Sequence, residues 1–393
     1  ATQQQCHPGS PRIFVYDLGP RWAPQRVIAC AKGLAATEVW FHRQLLQSSC
    51  REARPEDADL FYVPLYARCL FAQKHNIFER GHSWEHAFAD ATAWYEEFLG
   101  ELEHFHGRPG DHVFLFPEEH WPFPLEAFAP GGLLEHAVVL SPEARPLRCG
   151  GTFLIDYGHA CRHQNPRSGA LQIVIPSYVD GWRASRLRDF NKPLANRGWL
   201  ACFFGLGVEK GYSLTENFRN LLRPLAKLPH FLVSDYVTNY MELMGGSIFC
   251  LVPKGVGTWS HRIYEAMLAG CIPVILSDDM EMPFPELEWQ SFSIKYPMRE
   301  VDNVTLPRYL GGLAGDGGQG VAGMKEAVDR HACWFDYHAD VTDCSPLRGI
   351  TQQLSLVRTK GAAPAEASEM RRVGRGLERF WTPGGSLGWI PGD

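Results

Sequence analysis

The chain has 393 residues and a formal net charge of −6, a balance that argues against binding nucleic acid through a broad basic surface. Hydrophobic residues make up 45% and aromatic residues 12%, which is enough for a large core and excludes a disordered polypeptide. At roughly 100–200 residues per domain, the length predicts two or three domains, with two as the first expectation. The sequence contains no run of the roughly 20 apolar residues that span a membrane, and it does not open on a signal peptide.

The first half alternates short apolar or aromatic runs with longer helical patterns. The predicted strands are residues 12–16, 60–63, 112–116, 137–140, 152–155 and 172–175, and helices are predicted at 37–47 and 86–102. A stretch rich in Arg, Asn and Pro follows at 177–197. Its weak apolar periodicity predicts a linker between two domains.

The second half repeats this scheme. Its predicted strands are residues 199–204, 230–233, 248–252 and 272–276, and its predicted helices are 214–225, 237–244 and 260–269. Strands that are apolar on both faces and separated by helices indicate parallel sheets covered on both sides. The prediction is therefore an α/β protein with two Rossmann-like, doubly wound domains that face each other across a cleft.

The predicted domains are residues 1–185 and 186–360, followed by a tail at 361–393 that includes a basic helix at 369–380. We expect this tail to pack back on the N-terminal domain. Within the second domain, the glycine-rich segment 311–320 is predicted to be a flexible loop.

The chain has eleven cysteines and no CxxC motif, which disfavours zinc ribbons and thioredoxin-like redox sites. Cys202, Cys250 and Cys271 lie inside apolar runs and are predicted to be buried free thiols. The others lie in polar surroundings typical of disulfide partners: Cys6, Cys30, Cys50, Cys69, Cys149, Cys161, Cys333 and Cys344. Asn303 begins an N-glycosylation sequon, which favours a lumenal protein.

The clearest chemical signal lies in residues 247–296. A buried strand there ends in a glycine-containing turn that starts at Pro253. Ser260 is a candidate N-cap for the helix that follows, and Gly270 would close that helix. Ligands of open α/β sheets bind outside the carboxyl ends of the strands, which is where this turn lies. The free N–H groups and positive dipole end of the helix N-terminus suit a phosphate.

Arg262 and Glu265 are three residues apart and therefore share one face of this helix. The planar fork of Arg262 could clamp a diphosphate. Glu265 could accept hydrogen bonds from the vicinal hydroxyls of a ribose, because a carboxylate offers two acceptor oxygens. The alternative is an ordinary surface salt bridge between the two residues, worth roughly 0.2–0.5 kcal/mol.

The pattern S-x-R-x-x-E-A-x-x-x-G-C-I-P-V-I-L-S-D that begins at Ser260 closely resembles the exostosin family of glycosyltransferases, glycosyltransferase family 47. Further stretches that resemble the family follow in its order over most of the chain. They are RIFVYDL from Arg12, RPEDADLFYVP from Arg54, GDHVF from Gly110, VIPSY from Val174, and residues 200–205 followed by Arg219.

The resemblance implies a GT-B architecture, in which the N-terminal domain binds the acceptor and the C-terminal domain binds the nucleotide sugar. It also implies transfer from a nucleoside diphosphate sugar, usually a UDP-sugar, with inversion at the anomeric carbon. Arg219 and Arg262 would contact the diphosphate, and Glu265 would hold the ribose. The donor pocket would be completed by Pro253, Lys254, Gly255, Gly257 and Ser260.

Asp57 and Asp59 form an Asp-x-Asp motif, which in some glycosyltransferases holds a metal ion that neutralises the leaving group. Here the motif precedes the predicted strand 60–63 and falls at the wrong end of that strand for a ligand site, so we interpret it as structural. Arginine side chains and a helix terminus can stabilise the leaving diphosphate instead. We therefore expect no catalytic metal and no other cofactor.

Inversion requires a base that accepts the proton of the acceptor hydroxyl. Such a group should project from a loop that follows a strand of the N-terminal domain. Glu119 is the first candidate, and Asp17 and Asp156 are the alternatives. The pair at Asp111 and His112 also resembles a family motif, but a buried structural hydrogen bond explains it equally well.

These features predict a metal-independent hexosyl- or pentosyltransferase that moves a sugar from a UDP-sugar to a glycan or glycoprotein acceptor, in cell-wall, matrix or glycoprotein glycan synthesis. One alternative is a catalytically silent glycan-binding or scaffold protein on the same fold. Another is a GT-B enzyme of a different class, such as an epimerase or a phosphorylase. The expected partners are the nucleotide sugar and the acceptor, without nucleic acid, and the chain is compatible with homo- or hetero-oligomers.

The resemblance also bears on location. Exostosin-like enzymes usually hang from one N-terminal membrane anchor, so we expect the lumenal portion of a type II Golgi membrane protein, with secretion as the alternative. The animal members that polymerise heparan sulfate carry a further C-terminal domain, for which this chain is too short. A heparan sulfate polymerase is therefore not expected. The 29 Arg against 9 Lys, together with short plant- or algal-like motifs, favour a plant or algal member.

Overall fold

The structure is a computed structural model that describes most of the chain. The described residues are 6, 9–22, 33, 36–66, 91–117, 134–143, 171–206, 219–255, 258–278, 280–315, 319–339 and 343–359. Several predicted features lie outside them, namely the strand at 152–155, the candidate bases Glu119 and Asp156, and the tail at 361–393.

Contacts within the chain divide it into two compact units. The first unit contains the described residues up to Tyr178 together with residues 346–359, and the second is Val179–Ser345. The predicted boundary fell after residue 185 and placed 346–360 in the second domain. The contacts place the division after Tyr178, seven residues before the predicted boundary. They also assign residues 346–359 to the first unit.

The first unit is built on a six-stranded sheet in which all neighbouring strands are parallel. Its strands are β1 (Ile13–Val15), β2 (Arg51–Glu52), β3 (Leu60–Val63), β4 (His112–Leu115), β5 (Val138–Ser141) and β6 (Leu171–Val174). They lie in the order β2-β1-β3-β4-β5-β6. β3, β4 and β5 are buried along their whole length, as expected for strands covered on both faces.

The second unit contains a five-stranded sheet that is also parallel throughout. Its strands are β7 (Trp199–Phe204), β8 (Phe231–Ser234), β9 (Ser247–Pro253), β10 (Ile272–Leu276) and β11 (Ile294–Lys295). They lie in the order β11-β10-β9-β7-β8, and β10 is completely buried.

The two sheets share one winding pattern. In each, the second strand lies on one side of the first, and the later strands extend from its other side. This is the doubly wound order 2-1-3-4-5, whose ligand site lies at the carboxyl ends of the first and third strands, where the winding reverses. The switch points here are β1/β3 and β7/β9. The predicted α/β class with two Rossmann-like doubly wound domains is confirmed.

The helices connect and cover these strands. They are α1 (Gly19–Trp22), α2 (Ala36–Leu46), α3 (Ala91–Glu101), α4 (Gly181–Asp189), α5 (Tyr240–Gly245), α6 (Arg262–Leu268), α7 (Thr305–Gly315), α8 (Gln319–His331) and α9 (Pro346–Thr359). α6 packs against β10 and α4 and is almost wholly buried. Within the described part of the chain, each helix is too short or too polar to cross a membrane.

The predicted strands are confirmed wherever the chain is described. Three of them, residues 60–63, 199–204 and 272–276, agree to the residue, and the others differ by one residue at one or both ends. The helix predicted at 237–244 begins later, at Tyr240. Of the helix predicted at 214–225, residues 219–220 are α-helical and 221–222 form a turn, after which the 3-10 helix Arg223–Lys227 begins.

Two stretches that were predicted to lack regular structure contain helices. The segment 177–197 holds the division between the two units, after Tyr178, as predicted for a linker, but it also contains α4, whose buried side chains, Ala184 and Leu187, are too few to give a clear apolar period. The supposed loop at 311–320 is largely helical, because α7 runs into its glycines and is anchored upstream by buried Leu306 and Leu310. Packing overrides the low helix propensity of glycine there.

The cysteine predictions are confirmed in part. Cys6–Cys50 and Cys333–Cys344 are disulfides, as polar surroundings predicted, whereas Cys30, Cys69, Cys149 and Cys161 lie outside the described residues. Cys202 is a buried free thiol. Cys250 and Cys271 are instead bonded to each other, because the β9–β10 register places their Cα atoms 5.7 Å apart. An apolar run in the sequence predicts that its cysteines are buried, but it does not predict which residues of neighbouring strands lie side by side.

Candidate functional site

The switch point of the second sheet lies at the carboxyl ends of β7 and β9, where a ligand is expected to bind. β7 is followed by Gly205, and β9 ends at Pro253, where Lys254 and Gly255 continue the chain. The Gly255 N–H donates to the carbonyl of Trp259 at 2.9 Å, which closes the turn that leads to α6. Three residues predicted for the donor pocket, Pro253, Lys254 and Gly255, therefore lie at the switch point of the second unit.

Arg262 is the first residue of α6, and its guanidinium lies beside the end of β7. Its Cζ is 5.2 Å from the centre of the Phe203 ring, so the cation stacks against an aromatic face. Gly205 has φ +141°, and a Cβ added there would stand 2.8 Å from Arg262 Nη2. Residues other than glycine would be strained at this φ, and a side chain at position 205 would displace the Arg262 guanidinium from its present place.

The start of the helix differs from the prediction. Ser260 was expected to be the N-cap, but α6 begins at Arg262 with His261 in the capping position and no side-chain capping bond. The Ser260 carbonyl accepts from the Ile263 N–H at 3.2 Å, so Ser260 belongs to the turn. The helix end is as predicted, since Gly270 adopts φ +62° after Ala269. Gly257 lies outside the described residues.

Glu265 is 4% exposed and does not form the predicted alternative salt bridge with Arg262. Its Oε1 accepts from Arg183 Nη1 at 3.0 Å and from the Tyr240 hydroxyl at 3.3 Å. Among the described residues, its second oxygen Oε2 has no hydrogen-bond partner. The carboxylate is thus held rigidly by one oxygen while the other can accept from a ligand.

Arg183 and Tyr240 were missed by the sequence reasoning. Arg183 lies in α4, within the stretch predicted to be a linker, and Tyr240 begins α5. Burial, together with the charge of Glu265, raises the pKa of the Tyr240 hydroxyl, so it stays protonated at neutral pH and donates. The charge of Glu265 keeps the pKa of Arg183 raised against the opposing effect of burial. The sequence feature that could have indicated α4 is Asp180, because aspartate is a favoured N-cap residue.

Arg219 lies in the connection between β7 and β8 and is half-buried. Its backbone carbonyl accepts from the Leu222 N–H at 3.0 Å, just before the 3-10 helix Arg223–Lys227. Its predicted role at the diphosphate stays a prediction.

In the first unit, Asp17 is the candidate base that the structure describes. It follows β1 at the switch point of that sheet and is exposed. Its Oδ1 accepts from the Gly19 N–H at 3.2 Å. Its position at a carboxyl edge is the one expected for a group that meets a ligand.

The Asp-x-Asp motif has the structural role that its position predicted. Asp59 is buried, and its Oδ2 accepts from the Arg12 N–H at 2.8 Å, which fixes the start of β1. Asp57 pairs with Arg54 within the same turn. A different group, Cys202, Cys250 and Cys271, has the spacing of a metal site in the described residues, but two of its three sulfurs form a disulfide.

His112 is fully buried at the start of β4. Its Nδ1 lies 2.8 Å from the Arg108 carbonyl, its Nε2 lies 2.9 Å from the Tyr16 hydroxyl, and its ring stacks on Phe61. Asp111 pairs with Arg108 at 2.6 Å. The buried structural hydrogen bond considered for this motif is therefore present.

Burial lowers the pKa of His112 to about 4 from 6.5, so the folded protein keeps this ring neutral. Below pH 6.5 the unfolded chain takes up the proton first, and stability is lost as the pH falls towards 4. From pH 7 to pH 5 we expect His112 to remove about 2 kcal/mol of unfolding free energy. In denaturant titrations, the unfolding free energy of His112→Phe should fall by about 2 kcal/mol less than that of the wild type between pH 7 and pH 5. His106→Gln, at an exposed position, should retain the full dependence, and identical slopes in all three proteins would contradict the assignment.

Two doubly wound α/β units, with Arg262 and the anchored carboxylate of Glu265 near the switch point of the second, are consistent with the two-domain GT-B fold of glycosyltransferases. The Exostosin GT47 domain family matches residues 8–310. The chain belongs to the exostosin GT47 family of glycosyltransferases.

Relatives from land plants support this membership. A rice protein (Oryza sativa subsp. japonica) named as a probable glucuronosyltransferase is 31% identical over 313 residues, covering 75% of this chain and 68% of the relative. An Arabidopsis thaliana protein named as a probable glucuronoxylan glucuronosyltransferase is 26% identical over 314 residues, covering 75% and 62%. A Physcomitrium patens protein named as a probable glucuronosyltransferase is 26% identical over 313 residues, covering 75% and 64%.

Proposed function

We propose that this protein is an inverting glycosyltransferase that moves a sugar from a UDP-sugar to a glycan or glycoprotein acceptor in cell-wall or matrix glycan synthesis. The observation that carries the proposal is the arrangement of Arg262 and Glu265 at the β7/β9 switch point, inside the segment that resembles the family most closely. The plant relatives named as glucuronosyltransferases make UDP-glucuronic acid the first donor to test.

In this proposal the second unit binds the donor. Arg262, joined by Arg219, contacts the diphosphate, and the free oxygen of Glu265 accepts from the ribose hydroxyls. Negative charge grows on the diphosphate as the sugar leaves, and a preorganised guanidinium stabilises that charge without moving. The reaction then needs no catalytic metal. The acceptor hydroxyl gives its proton to a carboxylate of the first unit, with Glu119, Asp17 and Asp156 as the candidates.

A donor panel tests the function. Purified protein is incubated with UDP-glucuronic acid, other UDP-sugars and oligosaccharide acceptors from plant walls, and UDP release and product mass are measured. Transfer from a UDP-sugar supports the proposal, and the anomeric configuration of the product reports inversion. If none of the donors is transferred or hydrolysed although UDP binds, a catalytically silent glycan-binding protein becomes the better account.

A chelator tests the metal-free mechanism. Transfer should keep at least half of its rate after treatment with EDTA, because arginine side chains supply the positive charge at the leaving group. Loss of activity in the chelator and its return with manganese would show that a metal does this work.

We also propose a Golgi-lumenal location, with an N-terminal anchor as the membrane attachment. Two disulfides, Cys6–Cys50 and Cys333–Cys344, suit an oxidising compartment. The sequon residue Asn303 is exposed just before α7, where a glycan would meet solvent. Protein expressed in plant cells should lose mass when treated with a peptide N-glycosidase, and Asn303→Gln should remove the part of that mass carried by this site.

A further inference from the structure

We infer that Tyr236 forms the surface on which the nucleobase of the donor stacks, beside the ribose site at Glu265. This inference rests on the proposed donor function and deepens it, because it assigns the base end of the nucleotide to a side chain that the family resemblance did not single out.

The first observation is the position and exposure of Tyr236. β8 ends at Ser234, so Tyr236 stands two residues beyond it, at the same carboxyl edge of the sheet as Gly205 and Pro253. Its side chain is 68% exposed, the highest value among the large hydrophobic side chains of the described residues. An aromatic ring left this open at the ligand edge of a parallel sheet is available for stacking on a base.

The second observation is a continuous set of contacts from this ring to the predicted ribose site. The Tyr236 ring lies 5.7 Å from the Tyr240 ring, centre to centre. Tyr240 is buried, and its hydroxyl donates to Glu265 Oε1 at 3.3 Å. Tyr236 is thus in contact with Tyr240, whose hydroxyl forms the hydrogen bond to Glu265.

This spacing suits a nucleoside. The base is bonded directly to the ribose, so a group that recognises the base must lie close to the group that holds the sugar hydroxyls. Arg183 and Tyr240 fix the carboxylate, and Tyr240 also supports one side of Tyr236, which leaves the exposed side for the base. Stacking on an aromatic ring tolerates any base, so Tyr236 supplies affinity for the base and not selection of uracil.

Calorimetric titration of the whole chain with UDP, and separately with inorganic diphosphate, tests the inference. Tyr236→Ala should weaken UDP binding about tenfold, which corresponds to ~1.4 kcal/mol of lost stacking, and should leave diphosphate binding unchanged. Tyr236→Phe keeps the ring and should stay within about twofold of the wild type. Trp199→Ala is the matched control, because Trp199 is a partly exposed aromatic residue at the opposite edge of the same sheet.

The outcomes separate the two claims. Equal UDP affinity in the wild type and Tyr236→Ala would overturn the stacking role while leaving the donor function intact. Equal weakening of UDP and diphosphate binding in Tyr236→Ala would also overturn it, because it would reveal a general disturbance of the loop. A wild-type protein that binds diphosphate but gains nothing from the uridine would overturn the stacking role and the proposed donor together.

Discussion

Replacing Arg262 with alanine is expected to lower the rate of sugar transfer by about 10²–10³-fold, the range seen when one preorganised group is removed from a developing negative charge. The guanidinium lies against the Phe203 ring and beside Gly205, so in the proposed reaction it would meet the leaving diphosphate already in position. Initial rates at saturating acceptor, measured over a range of donor concentrations, give the loss.

Two further variants serve as comparisons for Arg262→Ala. Arg262→Lys keeps the charge but not the planar fork, so it should recover only part of the rate. Arg308→Ala removes an exposed arginine from α7 and should transfer at the wild-type rate. An Arg262→Ala protein that is folded and transfers sugar as fast as the wild type would remove Arg262 from the mechanism.

Replacing Arg197 with methionine is expected to lower the unfolding free energy by about 4 kcal/mol or more, which is a large part of the roughly 5–15 kcal/mol that stabilises a domain. The side chain is buried and donates to the carbonyls of Lys192 at 2.9 Å, Ser247 at 2.6 Å and Ala269 at 3.0 Å, and to Asn191 Oδ1 at 2.7 Å. Methionine would remove this donor from all four acceptors, of which the carbonyls of Ser247 and Ala269 are buried.

Burial lowers the pKa of Arg197 to about 10, which still leaves the guanidinium charged and donating at neutral pH. Urea unfolding followed by circular dichroism measures the loss, and resistance to proteolysis at low temperature reports folding if the variant is too unstable to titrate. Arg330→Met, an exposed substitution in the last turn of α8, should change stability by less than about 0.5 kcal/mol. A similarly small effect for Arg197→Met would show that the buried carbonyls find other donors.

The strands could be predicted well because their signal is local. Parallel strands covered on both faces need continuous apolar runs, and residues 60–63 and 272–276 are such runs bounded by polar or turn residues. Alternation of these runs with helical segments then indicated doubly wound sheets. The order of the strands depends on contacts between distant residues. The switch points at β1/β3 and β7/β9 were therefore identified only from the strand pairing in the structure.

The missed features depend on contacts between distant residues. α4 buries only Ala184 and Leu187, so its helical character was not visible, and Arg183 was hidden with it. Nothing local to Glu265 indicates that its partner is 82 residues away rather than three. The same holds for the Cys250–Cys271 bond, which follows from strand register. The positive φ of Gly205 and its position beside Arg262, a residue far along the chain, likewise have no local signal.

The donor site at the β7/β9 edge is tested most directly by the affinity for UDP of the wild-type protein, Arg262→Ala and Glu265→Gln. The glutamine is isosteric and can still accept from Arg183 and Tyr240, so the fold is retained while one charged acceptor for the ribose is lost. We predict that the wild type binds UDP and that each substitution weakens binding by about tenfold or more. Unchanged UDP affinity in both variants would contradict the assignment of the donor site to the β7/β9 edge.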